Sequence, residues 1–244
     1  MPQRLSIAMN DGTSAATLFT PTGTGPWPGV IFYMDAIALR PVLDDMAQRL
    51  ADLGYAVLLP DLFYRSAPYA PFNPATLFGD KVEFPRMMGL VGTMDNARVQ
   101  ADVKDYVTFL AARPEVQGKI GAVGYCMGGR FALFSTAVDP RVAGVASFHG
   151  AGLATDKPDS AHLIASKQQA RVYIGAAGID DHFGAAEAGK LAQSLREGGV
   201  DHVIENYAGV HHGFAIEDVP VFDAAAAARH WDRIATLFAE TLTA

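Results

Sequence analysis

Short apolar runs alternate with amphipathic segments along most of the chain, and this alternation predicts an α/β fold. In segments such as 43–53 and 185–195, apolar residues recur three or four positions apart, which is the period of one helix face. The apolar runs contain few polar residues, as is typical of strands buried on both faces of a parallel sheet. We therefore expect a mostly parallel central sheet with helices on both faces. The runs rich in β-branched and aromatic residues are 30–34, 55–59, 120–125, 142–148, 172–175 and 202–207.

The two ends of the chain have patterns of their own. Residues 5–9 and 15–19 flank an Asn-Asp-Gly turn sequence at 10–12, which predicts an antiparallel hairpin at one edge of the sheet. The alanine-rich run 224–228 is followed by apolar residues at helical spacing, and alanine has the highest helix propensity. A terminal helix that packs on the sheet is therefore expected.

Two stretches interrupt the alternation of strands and helices. Residues 61–95 contain four prolines and many aromatic side chains, and residues 151–167 are polar and resemble a loop. Long loops in compact α/β domains often border functional sites, so both stretches are expected to form pocket walls. The pattern leaves open whether 61–95 is a mobile lid. Because no segment resembles a linker, we expect a single domain over residues 1–244.

Composition narrows the class of protein. Half of the 244 residues are hydrophobic and 18% are charged, which excludes a disordered chain. The net charge of −7 argues against a nucleic-acid partner, because phosphate binding needs a basic surface. No apolar run approaches the ~20 residues of a membrane span, and the first 14 residues contain no secretory signal pattern. We expect a cytoplasmic protein that binds neither nucleic acid nor membrane.

The chain has one cysteine, Cys126, at the centre of the sequence Gly-Tyr-Cys-Met-Gly-Gly. One cysteine forms neither an internal disulfide nor a cysteine-based zinc site. The motif matches the G-x-S-x-G nucleophile elbow with Cys in place of Ser, between a strand and a helix that begins near Met127. Side chains at Gly124 and Gly128 would collide with backbone, and Gly129 lets the helix approach the sheet. The helix N-terminus favours a thiolate, so Cys126 is the predicted nucleophile.

A nucleophilic cysteine needs a base, and the base needs an orienting carboxylate. Asp180 and Asp181 follow the strand predicted at 172–175, and His211 and His212 follow the last predicted strand. Open α/β sheets place their sites at the carboxyl ends of strands. The chain order of nucleophile, acid and histidine is also typical of hydrolases with this elbow. The residues alone do not select one aspartate or one histidine.

These motifs resemble those of the dienelactone hydrolase family of α/β-hydrolases, from about Pro28 to the last helix. The resemblance implies a catalytic triad of Cys126, Asp181 and His212, because the family's aspartate precedes His-Phe and its histidine precedes Gly-Phe. It is most specific in Gly-Tyr-Cys-Met-Gly-Gly at 124–129, Pro-Asp-Leu-Phe at 60–63, Asp-His-Phe at 181–183 and His-Gly-Phe at 212–214.

The resemblance also implies further parts of the site. The family's acid after the central strand, which accepts the thiol proton, corresponds to Asp35, although a turn or helix-capping role for this residue stays open. The oxyanion hole would consist of the backbone N–H groups of Met127 and Ala36.

Two departures from the family concern the pocket. The family's Glu-Ile-Phe-Gly is Asp-Ala-Ile-Ala at 35–38, and the arginine expected four residues after the catalytic histidine is Ile216. A remaining cation is therefore expected from the 61–95 stretch, although a solvated surface position is equally open for each arginine there. The candidate substrate-binding residues are Arg65, Arg86, Tyr125 and His149.

The predicted function is hydrolysis of an ester or enol lactone through an acyl-thioester on Cys126, similar to carboxymethylenebutenolidase activity. A thiolate is expelled more easily than an unprotonated amide nitrogen, which favours esters over peptides. The alternatives are a carboxylesterase or thioesterase for another small ester, a non-catalytic binding scaffold, and a thiol redox sensor, which the lack of a second cysteine weakens. Neither a cofactor nor a metal is expected. The expected partner is a small ester or lactone, and the chain is a monomer or homodimer.

Overall fold

A computed structural model describes residues 2–243. Its eight strands form one sheet in the order β1-β2-β4-β3-β5-β6-β7-β8. The pairs β1–β2 and β2–β4 are antiparallel, and every other pair is parallel. The strands are β1 (Gln3–Met9), β2 (Gly12–Phe19), β3 (Trp27–Tyr33), β4 (Ala56–Pro60), β5 (Val116–Tyr125), β6 (Val142–Phe148), β7 (Arg171–Ile179) and β8 (His202–His211). The predicted mostly parallel sheet and its edge hairpin are confirmed.

The helices pack on both faces of this sheet, as predicted. Gly29 in β3 pairs with Ile120 in β5 and faces Leu110, whereas the next residue of β5, Gly121, faces Phe238. Because successive residues of a strand point to opposite faces, the third and the last helix lie on opposite sides. The helices are α1 (Pro41–Asp52), α2 (Glu83–Gly92), α3 (Asn96–Ala111), α4 (Gly128–Ser135), α5 (Ala161–Ala165), α6 (Ala185–Glu197) and α7 (Ala224–Leu242).

The central strands are buried along their length, as their continuous apolar sequence predicts. Residues 30–33 of β3 are fully inaccessible to solvent, whereas β8, at the edge of the sheet, has two buried residues, Tyr207 and Val210. No helix within residues 2–243 is long and apolar enough to cross a membrane.

The two stretches predicted as loops contain short helices. Helix α2 and two 3-10 turns, Tyr64–Ser66 and Leu77–Gly79, lie within 61–95, and α5 lies within 151–167. Pro85 concealed α2 from the sequence pattern, but it is the third residue of the helix, where its missing N–H removes no intrahelical bond.

Candidate active site

Four residues of the site each directly follow a parallel strand. Cys126 follows β5, His149 follows β6, Asp180 follows β7 and His212 follows β8. These strands are adjacent in that order, so their carboxyl ends place all four residues along one edge of the sheet. On the other side of β5, the segment after β3 adds the turn that contains Ala36.

The segment around Cys126 has the predicted strand–turn–helix geometry. Cys126 itself has a φ of +52°, a left-handed conformation that costs a non-glycine residue of order 1–3 kcal/mol. A β-carbon at Gly124 would lie 2.0 Å from the Gly128 carbonyl oxygen, and one at Gly128 would lie 2.5 Å from carbonyl oxygens at the end of β3. A β-carbon at Gly129 would lie 2.1 Å from the Ser147 hydroxyl. Only glycine fits at these three positions, as the sequence predicted.

His212 is paired with Asp180, and this corrects the predicted pairing with Asp181. His212 Nδ1 lies 2.8 Å from Asp180 Oδ2, and the Asp180 side chain is only 1% exposed, whereas Asp181 is exposed. The strand register explains this, because Ile179 and His211, the last residues of β7 and β8, are paired, and Asp180 and His212 directly follow them. The Asp-His-Phe motif alone could not reveal this register.

The charges around His212 favour its protonated form. Burial by itself lowers the pKa of His212, but the negative charge of Cys126 and the hydrogen bond to Asp180 outweigh burial and raise that pKa to about 10. The other ring nitrogen, Nε2, is buried and has no hydrogen-bond partner of standard geometry among the described residues. The ring is therefore oriented on one side by a carboxylate and free to exchange a proton on the other.

His149 is a second imidazole beside His212. Its ring centroid lies 5.1 Å from that of His212 and 5.4 Å from that of Phe214, in edge-to-face arrangements. The residue is fully buried, has a φ of +38°, and neither ring nitrogen has a partner within residues 2–243. Burial, together with the charge of His212, lowers the pKa of His149 well below its ordinary value, so its ring is neutral.

Asp35 is hydrogen-bonded to Arg40 rather than to the cysteine, which corrects the expected contact with Cys126. Arg40 Nη1 and Nη2 donate to the two carboxylate oxygens at 2.7 and 2.8 Å, and the Ile37 amide donates to Oδ1 at 2.9 Å. The side chains of Asp35 and Arg40 are 5% and 7% exposed. Arg40 thus contacts both carboxylate oxygens of Asp35, and no hydrogen bond joins Asp35 to Cys126 among the described residues.

Arg40 is a residue of the site that the sequence analysis missed. Besides Asp35, it donates to the Ala38 carbonyl at 3.1 Å and to both carboxylate oxygens of Asp218, at 2.7 and 3.1 Å. Its five N–H groups thus tie the turn that contains Ala36 to the loop that follows His212. Burial by itself lowers the pKa of Arg40, but the two carboxylates outweigh it and raise that pKa further.

The backbone amides of Ala36 and Met127, the predicted oxyanion hole, lie in the turn after β3 and directly after Cys126. Met127 precedes the first residue of α4, where the N–H has no intrahelical partner. Within the described part of the chain, neither amide donates a backbone hydrogen bond. The close approach of Gly128 to the carbonyl oxygen of Met34 places the elbow against the segment that continues to Ala36.

The two arginines that the sequence offered as substrate ligands are paired elsewhere. Arg65 Nη1 and Nη2 donate to the buried Asp102 at 2.7 Å each, and its Nε donates to Asp11 at 2.7 Å. Arg86 is paired with Glu83 on its own helix. Carboxylates therefore occupy both guanidinium groups. The pairing of Arg65 is long-range, which spacing along the sequence does not reveal, whereas Arg86 pairs with a residue three positions before it.

Tyr125 points into the core rather than into the site. Its hydroxyl is 2.9 Å from His230 Nε2, and its ring stacks on Phe32 and Phe148 with centroid distances of 5.0 and 5.9 Å. Tyr125 is the last residue of β5, directly before Cys126, and its side chain points away from that of the nucleophile. The expected role of Tyr125 in substrate binding is therefore corrected.

A cavity of about 410 Å³ opens beside His212. Its apolar walls come from three separate segments of the chain, and its polar rim comes from the ends of β7 and β8. No lysine or arginine lies among its described lining residues. The lining consists of Phe78, Ile179, Asp180, Asp181, His182, His211, His212, Pro220 and Val221.

Comparisons with known proteins agree with this architecture. The family model described as the dienelactone hydrolase family matches residues 14–242. A putative carboxymethylenebutenolidase from Synechocystis sp. is 27% identical over 92% of this chain and 90% of its own length. A carboxymethylenebutenolidase from Pseudomonas sp. strain P51 is 27% identical over 91% of this chain and 88% of its own length.

Solved structures show the same fold at lower identity. The crystal structure of a putative dienelactone hydrolase from Klebsiella pneumoniae has a TM-score of 0.83 and 22% identity, covering 98% of each chain. A dienelactone hydrolase-like promiscuous phosphotriesterase from metagenomic libraries has a TM-score of 0.82 and 23% identity, covering 99% of this chain and 98% of its own. The chain belongs to the dienelactone hydrolase family and is a hydrolase with the α/β-hydrolase fold.

Proposed function

We propose that the protein hydrolyses small carboxylic esters or enol lactones, with Cys126 as nucleophile, His212 as proton carrier and Asp180 as its orienting carboxylate. The observation that supports this most is the arrangement of His212. Its Nδ1 is fixed by Asp180 at 2.8 Å, while its Nε2 is buried, unpartnered among the described residues and close enough to Cys126 for the sulfur charge to raise the pKa of the ring. An orienting acid, a base and a nucleophile in this sequence are the parts of a triad.

The first half of the reaction acylates the enzyme. The Cys126 thiolate forms a bond to the carbonyl carbon, and the carbonyl π electrons move to oxygen, where the amides of Met127 and Ala36 stabilise the negative charge. The intermediate then collapses, the ester C–O bond breaks, and the alkoxide or enolate takes the Nε2 proton of His212. The products of this half are the free alcohol or enol and an acyl-thioester on Cys126. With a lactone, both parts stay in one molecule.

The second half releases the acid. His212, now neutral, takes a proton from a water molecule whose oxygen attacks the thioester carbon. The second tetrahedral intermediate expels the Cys126 thiolate, and the carboxylic acid departs. His212 again carries the proton, so the imidazolium and the thiolate of the starting enzyme are restored.

In this mechanism Asp35 is a positioning residue. Its carboxylate binds the Ile37 amide and Arg40, and these contacts hold the turn that presents the Ala36 amide to the oxyanion. The proton of the thiol therefore goes to His212 and not to Asp35.

The decisive experiment compares wild type with Cys126→Ala on p-nitrophenyl acetate and on a dienelactone. Loss of the nucleophile should lower kcat/KM by roughly a hundredfold or more. Acid quenching of the wild-type reaction, followed by mass spectrometry of the peptide that contains Cys126, should show an acetyl adduct that Cys126→Ala lacks. Equal rates for the two proteins, or an adduct on another residue, would overturn the proposal.

A further inference from the structure

Three exposed apolar side chains surround the cavity beside His212. Phe78, Ile179 and Val221 are 59%, 50% and 38% exposed, and they come from the 3-10 turn Leu77–Gly79, the end of β7 and the loop after His212. Single exposed apolar residues are ordinary on a protein surface, but a group of them around one concave site indicates an apolar ligand. The cavity volume of about 410 Å³ lies in the range of small-molecule sites.

The charges around this cavity disfavour a substrate with a carboxylate at this end. Asp181 is exposed at the rim, and no lysine or arginine is found among the described lining residues. Arg40, which borders the turn that contains Ala36, is bound by two carboxylates. Apart from the His212 imidazolium, which is already paired with Asp180, a carboxylate entering here would meet no lysine or arginine of the described lining to offset its lost water, which is costly.

The position of the cavity indicates which part of the ester it receives. The acyl carbon must bond to Cys126, whereas the leaving oxygen must lie at His212, which protonates it. The cavity is lined by His212 and its neighbours and not by Cys126. The group attached to the leaving oxygen is therefore the part that extends into the cavity.

We propose that this cavity, with Phe78, Ile179 and Val221 as its apolar walls, binds the alcohol portion of an uncharged ester. Preferred substrates are neutral esters of an apolar alkyl or aryl alcohol, rather than esters or lactones that carry a second carboxylate on that side. The inference rests on the proposed function, since it takes Cys126 and His212 as the reacting pair.

The test uses acetate esters that differ only in the alcohol: ethyl, butyl and benzyl acetate, together with the matched pair 4-methylpentyl acetate and 4-acetoxybutanoate. In a pH-stat assay at pH 8, kcat/KM should rise along the neutral series by up to about fourfold for each methylene group buried. The neutral member of the matched pair should exceed the charged member by at least about tenfold.

Serine variants of apolar side chains with similar exposure, inside and outside the cavity lining, test whether Phe78 and Val221 form its apolar wall. Phe78→Ser and Val221→Ser should flatten the neutral series, and circular dichroism together with the thermal unfolding midpoint shows whether these variants fold. Leu53→Ser and Val203→Ser are the controls, because these side chains are 48% and 41% exposed but lie outside the cavity lining. Both controls should keep the wild-type series.

Failure of the inference and failure of the proposed function give different results. A wild-type enzyme whose hydrolysis depends on Cys126, but whose rates are flat along the neutral series or equal for the matched pair, overturns the apolar pocket alone. The same holds if the Leu53 and Val203 controls flatten the series as strongly as the wall variants. Hydrolysis that is absent, or unchanged in Cys126→Ala, overturns the proposed function and with it the inference.

Discussion

His212 Nδ1 lies 2.8 Å from Asp180 Oδ2, while the next residue along the chain, Asp181, is exposed at the rim of the cavity. The two aspartates are therefore a natural matched pair of sites. Asp180→Asn removes the charge that orients and stabilises the His212 imidazolium, and kcat on p-nitrophenyl acetate should fall by about 10²–10⁴. Asp181→Asn should stay within about threefold of wild type. The reverse ranking of the two variants would show that Asp181 is the functional acid.

Arg40 should control both stability and the oxyanion hole. Arg40→Met leaves the buried Asp35 carboxylate without its partner, so the free energy of unfolding in urea should fall by about 3–5 kcal/mol. The turn that contains Ala36 then loses its support, so the fold-decrease in kcat should exceed the fold-increase in KM. Asp218→Asn is the milder control, since that carboxylate is 31% exposed. An Arg40→Met protein with wild-type stability and kcat would contradict this role.

His212 should make stability depend on pH in the alkaline range. Its pKa in the folded protein is raised to about 10, above the ordinary value of 6.5, so the folded state binds the proton more tightly than the unfolded state. The resulting stabilisation is complete below about pH 6.5 and is lost as pH rises towards 10. The difference in unfolding free energy between wild type and His212→Phe, which removes the titrating ring, should therefore shrink from pH 6.5 to 10. A pH-independent difference would refute the raised pKa of His212.

His149 should contribute to acid sensitivity. Burial lowers the pKa of His149 well below 6.5, so the unfolded chain binds a proton there more readily and stability declines as pH falls below that value. His149→Phe keeps an aromatic edge against His212 and removes the titrating group. Its urea-unfolding free energy should fall less than that of wild type between pH 6.5 and 5. Burial also lowers the pKa of His230 to about 4, so part of the decrease in unfolding free energy with falling pH remains in both proteins.

The elbow glycines should be intolerant of a single methyl group. A β-carbon at Gly128 would lie 2.5 Å from backbone carbonyl oxygens that cannot yield, so Gly128→Ala should destabilise the protein by more than about 2 kcal/mol and abolish activity. A methyl group at Gly189, within α6, would meet no atom within 4 Å apart from its own helix, and Gly189→Ala should stabilise the protein by about 0.5–1 kcal/mol. Thermal melts of the two variants give the comparison.

Most of the fold could be predicted from the sequence because the local patterns agree with the tertiary packing. The continuous apolar run at 30–34 corresponds to a strand that is buried on both faces, and the glycines around Cys126 predicted the elbow that the structure contains. Helix α2 was missed because Pro85 is normally a helix breaker. In addition, the apolar residues Phe84 and Met88 of this helix are partly exposed, so its apolar positions do not mark one buried face.

The details of the site required distances that a linear pattern does not contain. The choice of Asp180 over Asp181 depends on how the ends of β7 and β8 are aligned, and Arg40 binds Asp218, far along the chain, as well as Asp35. The predicted strands 172–175 and 202–207 also end too early, because β7 and β8 continue to Ile179 and His211, so the residues that follow these strands could not be identified from the pattern.

The strand order also determines when the site can exist. The reacting residues come from β5, β7 and β8, and β6 must lie between the first two before they face one another. In the proposed mechanism, a chain emerging from the ribosome therefore possesses the thiol of Cys126 long before it possesses His212, which activates that thiol. We expect nascent or truncated molecules that lack β8 to be inactive, so that the onset of hydrolysis would report the completed pairing of β7 with β8.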